Sequence, residues 1–109
     1  MIKTVRIAIP REAKKGEVIE IKTLVSHPME SGFRPGPTGK IVPRNIIKFF
    51  ICQYLDQEVF KLEYFPAIAA NPFLRFHIQA LKSGTVKFIW IDQHQQQHTE
   101  SRYLTVNDQ

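Results

Sequence analysis

The 109-residue chain has a single cysteine, Cys52, so it can form neither an internal disulfide nor a Cys-based zinc or iron–sulfur cage. No apolar run approaches the ~20 residues that a bilayer-crossing helix needs. The opening residues also lack a signal-peptide core, because Pro10 and the charges Arg6, Arg11, Glu12, Lys14, Lys15 and Glu17 interrupt every apolar stretch. By themselves these absences lead one to expect a soluble cytoplasmic protein with no membrane contact. GxSxG, HExxH, a phosphate-cradling glycine loop and an aromatic-rich basic RNA motif are all missing. The length implies one domain, residues 1–109, burying roughly 65% of its unfolded surface. That supports a core but hardly a deep enclosed active site as well, and no cofactor is expected.

Acidic side chains are scarce in the first part of the chain. Residues 1–48 hold ten Lys/Arg against four Glu, whereas residues 49–109 hold five Lys/Arg against six Asp/Glu. A basic half can steer an acidic partner or a small anion. The basic residues are scattered, however, and Lys14–Lys15 is the only adjacent pair. A nucleic-acid surface clusters such residues with stacking aromatics, so none is expected here.

What is present reads as strands. Val5, Ile7 and Ile9 alternate with Thr4, Arg6 and Ala8 until Pro10 ends the run. Residues 17–26 alternate after a turn at Lys14-Lys15-Gly16. Residues 27–44 carry four of the seven prolines and three of the five glycines, which makes a long irregular loop. Residues 46–54 and 58–64 flank the turn Leu55-Asp56-Gln57 as a hairpin. Residues 65–73 are irregular again. Residues 74–79, 85–92 and 99–106 then complete about seven strands, with a polar tip at Gln93–Gln97. No helical period or internal repeat appears. The spacing predicts an all-β, immunoglobulin-like antiparallel β-sandwich with the single Trp90 in its core.

Two of these strands are apolar on both faces. On residues 85–92, Val86, Phe88 and Trp90 form one face, and Ile89 and Ile91 share the other with Lys87. On residues 46–54, Phe50, Cys52 and Tyr54 oppose Phe49, Ile51 and Gln53. An antiparallel strand with one solvated face should alternate with polar residues. If the two strands are neighbours, Phe49, Ile51, Ile89 and Ile91 make one outward patch of the kind that marks a protein interface. Coverage by the loops at 27–44 or 65–73 is the alternative. Lys48 falls in the face assigned inward.

Few side chains invite chemistry. Cys52 lies mid-strand with no His or charge adjoining it, which suits a small inert core residue better than a reactive thiol. A blue-copper site needs Cys, two His and a weak axial Met. Here His27, His77, His94, His98 and Met29 are all remote from Cys52 in sequence, so no metal is expected. Asp92 and Glu100 flank a turn, but nothing marks them as an acid–base pair. The residues themselves describe a binding or structural module with a sheet-mediated interface.

One run is more specific. Lys14-Lys15-Gly16-Glu17-Val18-Ile19-Glu20-Ile21-Lys22-Thr23-Leu24-Val25-Ser26-His27-Pro28-Met29-Glu30-Ser31-Gly32 closely resembles the opening of the SoxZ family. The resemblance continues at Ile41-Val42-Pro43-Arg44, Glu58-Val59-Phe60, Pro66-Ala67-Ile68-Ala69-Ala70-Asn71-Pro72-Phe73-Leu74, Ser83-Gly84-Thr85 and Trp90. It departs in the tip Gln93–His98, where the family has a more acidic, glycine-containing turn. It implies an immunoglobulin-like, non-catalytic subunit of the SoxYZ sulfur-carrier complex of bacterial thiosulfate oxidation. The implied partner, SoxY, carries sulfur intermediates on a glycine-flanked cysteine near its C-terminus, and other pathway enzymes act on that adduct. The implied compartment is the periplasm, reached by export in company with signal-bearing SoxY. The outward patch of Phe49, Ile51, Ile89 and Ile91 then becomes the expected SoxY contact. His27, Met29, Glu30 and Asn71 become a candidate loop contact surface. Cys52 and Trp90 stay structural, and self-association is expected in the absence of SoxY. Two rival readings remain: a stand-alone β-sandwich binding module, or a free sulfur carrier using Cys52.

Overall fold

The computed structural model describes residues 4–26, 47–63, 73–92 and 94–108. Alternating β-formers become eight strands: β1 (Thr4–Ala8), β2 (Glu12–Lys14), β3 (Val18–Ser26), β4 (Ile47–Tyr54), β5 (Gln57–Glu63), β6 (Phe73–Gln79), β7 (Gly84–Asp92) and β8 (Gln97–Asn107). They form a three-stranded sheet in the order β1-β3-β6 and a five-stranded sheet in the order β2-β8-β7-β4-β5. The two sheets make the immunoglobulin-like sandwich that the strand spacing predicts.

The eighth strand, β2, comes from a change of sheet. Pro10 has no N–H to donate and cannot continue a paired strand. The chain therefore leaves β3, its antiparallel neighbour in β1, and joins β8 as a short parallel strand, Glu12 opposite Thr105 and Lys14 opposite Asn107. Gly16, at φ +88°, then turns the chain into β3.

The core lies between the sheets. Ile19, Ile21, Val25, Phe76 and Ile78 come from the smaller sheet, and Phe50, Cys52, Tyr54, Val86, Phe88, Trp90 and Leu104 from the larger. Phe50 is the hub. Its ring lies 5.2 Å from Trp90, 5.6 Å from Phe76, 6.2 Å from Phe60 and 6.4 Å from Phe88. Phe60 stacks on Phe76 at 4.5 Å and ties β5 to β6 across the sandwich. Such offset and edge-on aromatic pairs contribute beyond the area they bury.

Three local devices set the register. The β4–β5 hairpin has a two-residue loop, Leu55 and Asp56, both at positive φ (55° and 61°), rather than the three-residue turn expected from sequence. Positive φ at both positions is what a type I′ hairpin requires. The Tyr54 hydroxyl donates to the Lys82 carbonyl and accepts from the Leu81 and Lys82 N–H groups, each at 3.1 Å, pinning the segment before β7. Asp92 closes the β7–β8 turn as an Asx turn, its Oδ1 accepting from His94 N–H at 2.8 Å and Gln96 N–H at 2.9 Å. Asp92 is thus a turn-former and does not pair with Glu100.

Candidate partner-binding face

The outer face of the five-stranded sheet is built by β4 and β7. Their antiparallel register puts Phe49 opposite Ile91 and Ile51 opposite Ile89, so the four residues form two adjacent cross-strand pairs. All four are half-buried. The doubly apolar character of the two strands follows directly: Phe50, Cys52, Val86, Phe88 and Trp90 fill the core while the odd-numbered residues make this outer stripe.

Lys48 is the exception to the alternation, and its position has a physical reason. The β4–β7 register shifts between Ile47 and Phe49, so Lys48 is the extra residue of a β-bulge. Ile47 is buried and Lys48 exposed, which corrects the inward placement of Lys48 read from strict alternation. From the bulge its ammonium reaches over the Phe49 ring at 5.7 Å, and Lys61 Nζ approaches the same ring at 5.1 Å. The rim continues with Glu63 on β5, opposite Phe49, and with Thr99 and Gln97 on β8, opposite Ile89 and Ile91. An apolar centre with a polar and charged rim is the make-up of a protein-binding surface.

His27, Met29, Glu30 and Asn71 lie outside the described residues. Cys52 and Trp90 are in the core. The Cys52 side chain is fully buried (0% exposed), and burial pushes its thiol up to about 12. Nucleophilic sulfur chemistry needs the thiolate and access to it, and Cys52 offers neither. We expect Cys52 to resist a thiol-reactive disulfide such as dithiobisnitrobenzoate in the native protein and to react stoichiometrically in denaturant. Rapid native labelling would revive it as a sulfur carrier.

One cluster escaped the sequence reading. His98, Glu100 and Arg102 follow one another on the core-facing side of β8, opposite Trp90, Phe88 and Val86. Their side chains stay part-exposed, and Arg102 lines a cleft with Ile7, Ile9, Pro10, Arg11 and Thr105. His98 Nε2 donates to Glu100 Oε2 at 2.7 Å, and Arg102 Nη1 lies 3.5 Å from Glu100 Oε1. The His98 hydrogen bond, reinforced by Arg102, holds the Glu100 carboxyl below its ordinary value. A depressed carboxyl pKa contributes stability above the unfolded value and loses it as pH falls through the folded one. Glu100→Gln should therefore lower stability at pH 7 by under about 1 kcal/mol, since solvent screens the pair. In urea melts that deficit should begin to shrink below about pH 4.3 and vanish at lower pH; a deficit that does not depend on pH would show that the carboxylate charge is irrelevant. His77, by contrast, sits on the outer face of the other sheet. Among the described residues, no three His, Cys, Asp or Glu come together as a metal site.

Fold and face together define a small β-sandwich with an apolar outer sheet face. The family model described as sulphur oxidation protein SoxZ matches residues 5–102, and the chain belongs to that family. No curated protein matches. Among solved structures, superoxide reductase (neelaredoxin) from Ignicoccus hospitalis is similar at a TM-score of 0.67 and 14% identity, over 97% of this chain and 82% of that one. The sulfur carrier protein SoxY from Chlorobium limicola f thiosulfatophilum is similar at 0.65 and 12% identity, over 94% and 78%. A putative superoxide reductase from Thermotoga maritima is similar at 0.63 and 17% identity, over 95% and 86%. At these identities the likeness is one of fold.

Proposed function

We propose that this chain is the non-catalytic, non-carrying subunit of a SoxYZ sulfur-carrier complex in bacterial thiosulfate oxidation, working in the periplasm. In this reading it binds SoxY, and SoxY's cysteine holds the sulfur intermediates while other enzymes of the pathway act on them. The observation that carries the proposal is the pairing of Phe49 with Ile91 and Ile51 with Ile89, all half-buried, on the outer face of the five-stranded sheet. An apolar stripe of this kind costs free energy in water and is relieved by a partner's apolar surface. SoxY of Chlorobium limicola has the same fold, so two similar sandwiches can meet sheet face to sheet face. The buried Cys52 agrees, because the reactive thiol must then belong to the other subunit. Without SoxY, the same stripe is open to a second copy of this chain.

Co-expression with a candidate SoxY followed by size-exclusion chromatography tests the reading. One species containing both chains, stable on dilution to micromolar concentration, is the expected result. Separate elution of the two chains would overturn it and favour a stand-alone module.

A further inference from the structure

The outer face of the three-stranded sheet looks away from the Phe49–Ile91 stripe. Its side chains form a grid fixed by strand register. Arg6 lies beside Leu24, and Leu24 beside Phe73. In the next row Ala8 lies beside Lys22, and Lys22 beside Arg75. In the third, Glu20 lies beside His77. The basic side chains thus come from both halves of the sequence, with β6 supplying Arg75 and His77. Three of the fifteen Lys/Arg side chains, far apart in sequence, meet here.

Among the described residues the grid holds a single carboxylate, Glu20. Glu20 is 3.5 Å from Lys22, 3.8 Å from Arg75 and 3.7 Å from His77. One negative charge cannot neutralise both Lys22 and Arg75, and Arg6 has no carboxylate partner among the described residues. The face therefore keeps a positive surplus. Directly beside it, Phe73 is 60% exposed and Leu24 36% exposed. A small inorganic anion would use the cations and leave these two apolar side chains wet. A segment carrying carboxylates on either side of an apolar side chain would use both.

The geometry points to this face as a docking surface for an acidic segment of another protein, with Arg6, Lys22 and Arg75 taking its carboxylates and Leu24 and Phe73 its apolar side chain. This goes beyond the SoxY reading and does not depend on it. Because the two faces are on opposite sides of the sandwich, SoxY and the acidic partner can be bound together.

The probe is a fluorescently labelled peptide, Glu-Glu-Phe-Glu-Glu-Leu-Glu, followed by anisotropy with the full chain, both by itself and co-purified with SoxY. Saturable binding that weakens as salt is raised is expected. Arg6→Glu with Arg75→Glu should weaken it by about tenfold or more, and Phe73→Ser by about threefold. All three side chains lie on the outer face, and an unchanged thermal melt verifies the fold. Absence of binding to the wild type, or binding indifferent to the double charge reversal, would overturn the proposal. Equal or tighter binding of duplex DNA or of phosphatidylglycerol vesicles would overturn it too, by showing a general polyanion surface. So would full displacement of the peptide by equimolar thiosulfate, which would reveal a small-anion site. The Phe49→Asp, Ile89→Asp protein should still bind the peptide, and the charge-reversed protein should still bind SoxY, so failure of one reading is visible apart from failure of the other.

Discussion

Phe49→Asp combined with Ile89→Asp is expected to abolish co-elution with SoxY while leaving the chain folded. The two positions are diagonal across β4 and β7, because Phe49 pairs with Ile91 and Ile51 with Ile89. The double change therefore removes one member of each pair and leaves neither intact. It also puts two carboxylates into the centre of the contact, where a desolvated, unpaired charge costs several kcal/mol. Truncating a hot-spot residue, the kind that clusters at the centre of an interface, costs about 2 kcal/mol or more. Two such losses correspond to an affinity about a thousandfold weaker. The fold should tolerate the change, since both side chains lie outside the core. Thermal melts of the isolated variant verify that. A folded variant that still co-elutes with SoxY would move the interface elsewhere.

Phe50→Ala, one residue along, should do the reverse: destabilise the domain rather than undo a complex. Phe50 is fully buried and touches four other aromatic rings, drawn from β5, β6 and β7 and so from both sheets. Neighbouring rings held by two sheets cannot collapse into the space left behind, so the cost should sit at the high end of the roughly 3–5 kcal/mol typical of Phe→Ala in a core. Against a total stability of about 5–15 kcal/mol that is a large fraction, and a fall in Tm of roughly 15 °C or more should follow. Phe73→Ala, with its ring in solvent, should change stability by under about 0.5 kcal/mol. A small effect at Phe50 would mean that the aromatic cluster is looser than its geometry implies.

The contrast between Phe49 and Phe50 shows how much the sequence discloses. Strict alternation along residues 85–92 separates Val86, Phe88 and Trp90 from Ile89 and Ile91 without ambiguity. On residues 46–54 it assigns Phe49 and Ile51 correctly but misplaces Lys48, because a bulge adds one residue and breaks the period of two. β2 is hidden for a different reason. Three residues with Ala13 as their only apolar member show no periodicity, and their pairing is parallel to a strand at the far end of the sequence. The His98–Glu100–Arg102 row is hidden because alternation tells which side of a sheet a residue faces, not whether an opposing sheet covers that side. All three side chains keep contact with solvent, and nothing local in β8 reports that.

The pairing of β2 with β8 has a consequence for the timing of folding. Thr105 donates its N–H to the Arg11 carbonyl at 3.0 Å, and Lys15 donates to the Asn107 carbonyl at 2.8 Å. β8 also completes the pairing of β7 along most of its length. It is synthesised after every strand it touches. A nascent chain can form the β4–β5 hairpin early from local contacts, but the larger sheet stays open-edged along β7 until β8 is made, and the long-range pairing of β2 with β8 that follows is slow. During that interval the Phe49–Ile91 stripe and a bare strand edge are exposed together. The domain is then most prone to misassociation and has most to gain from a partner already at hand.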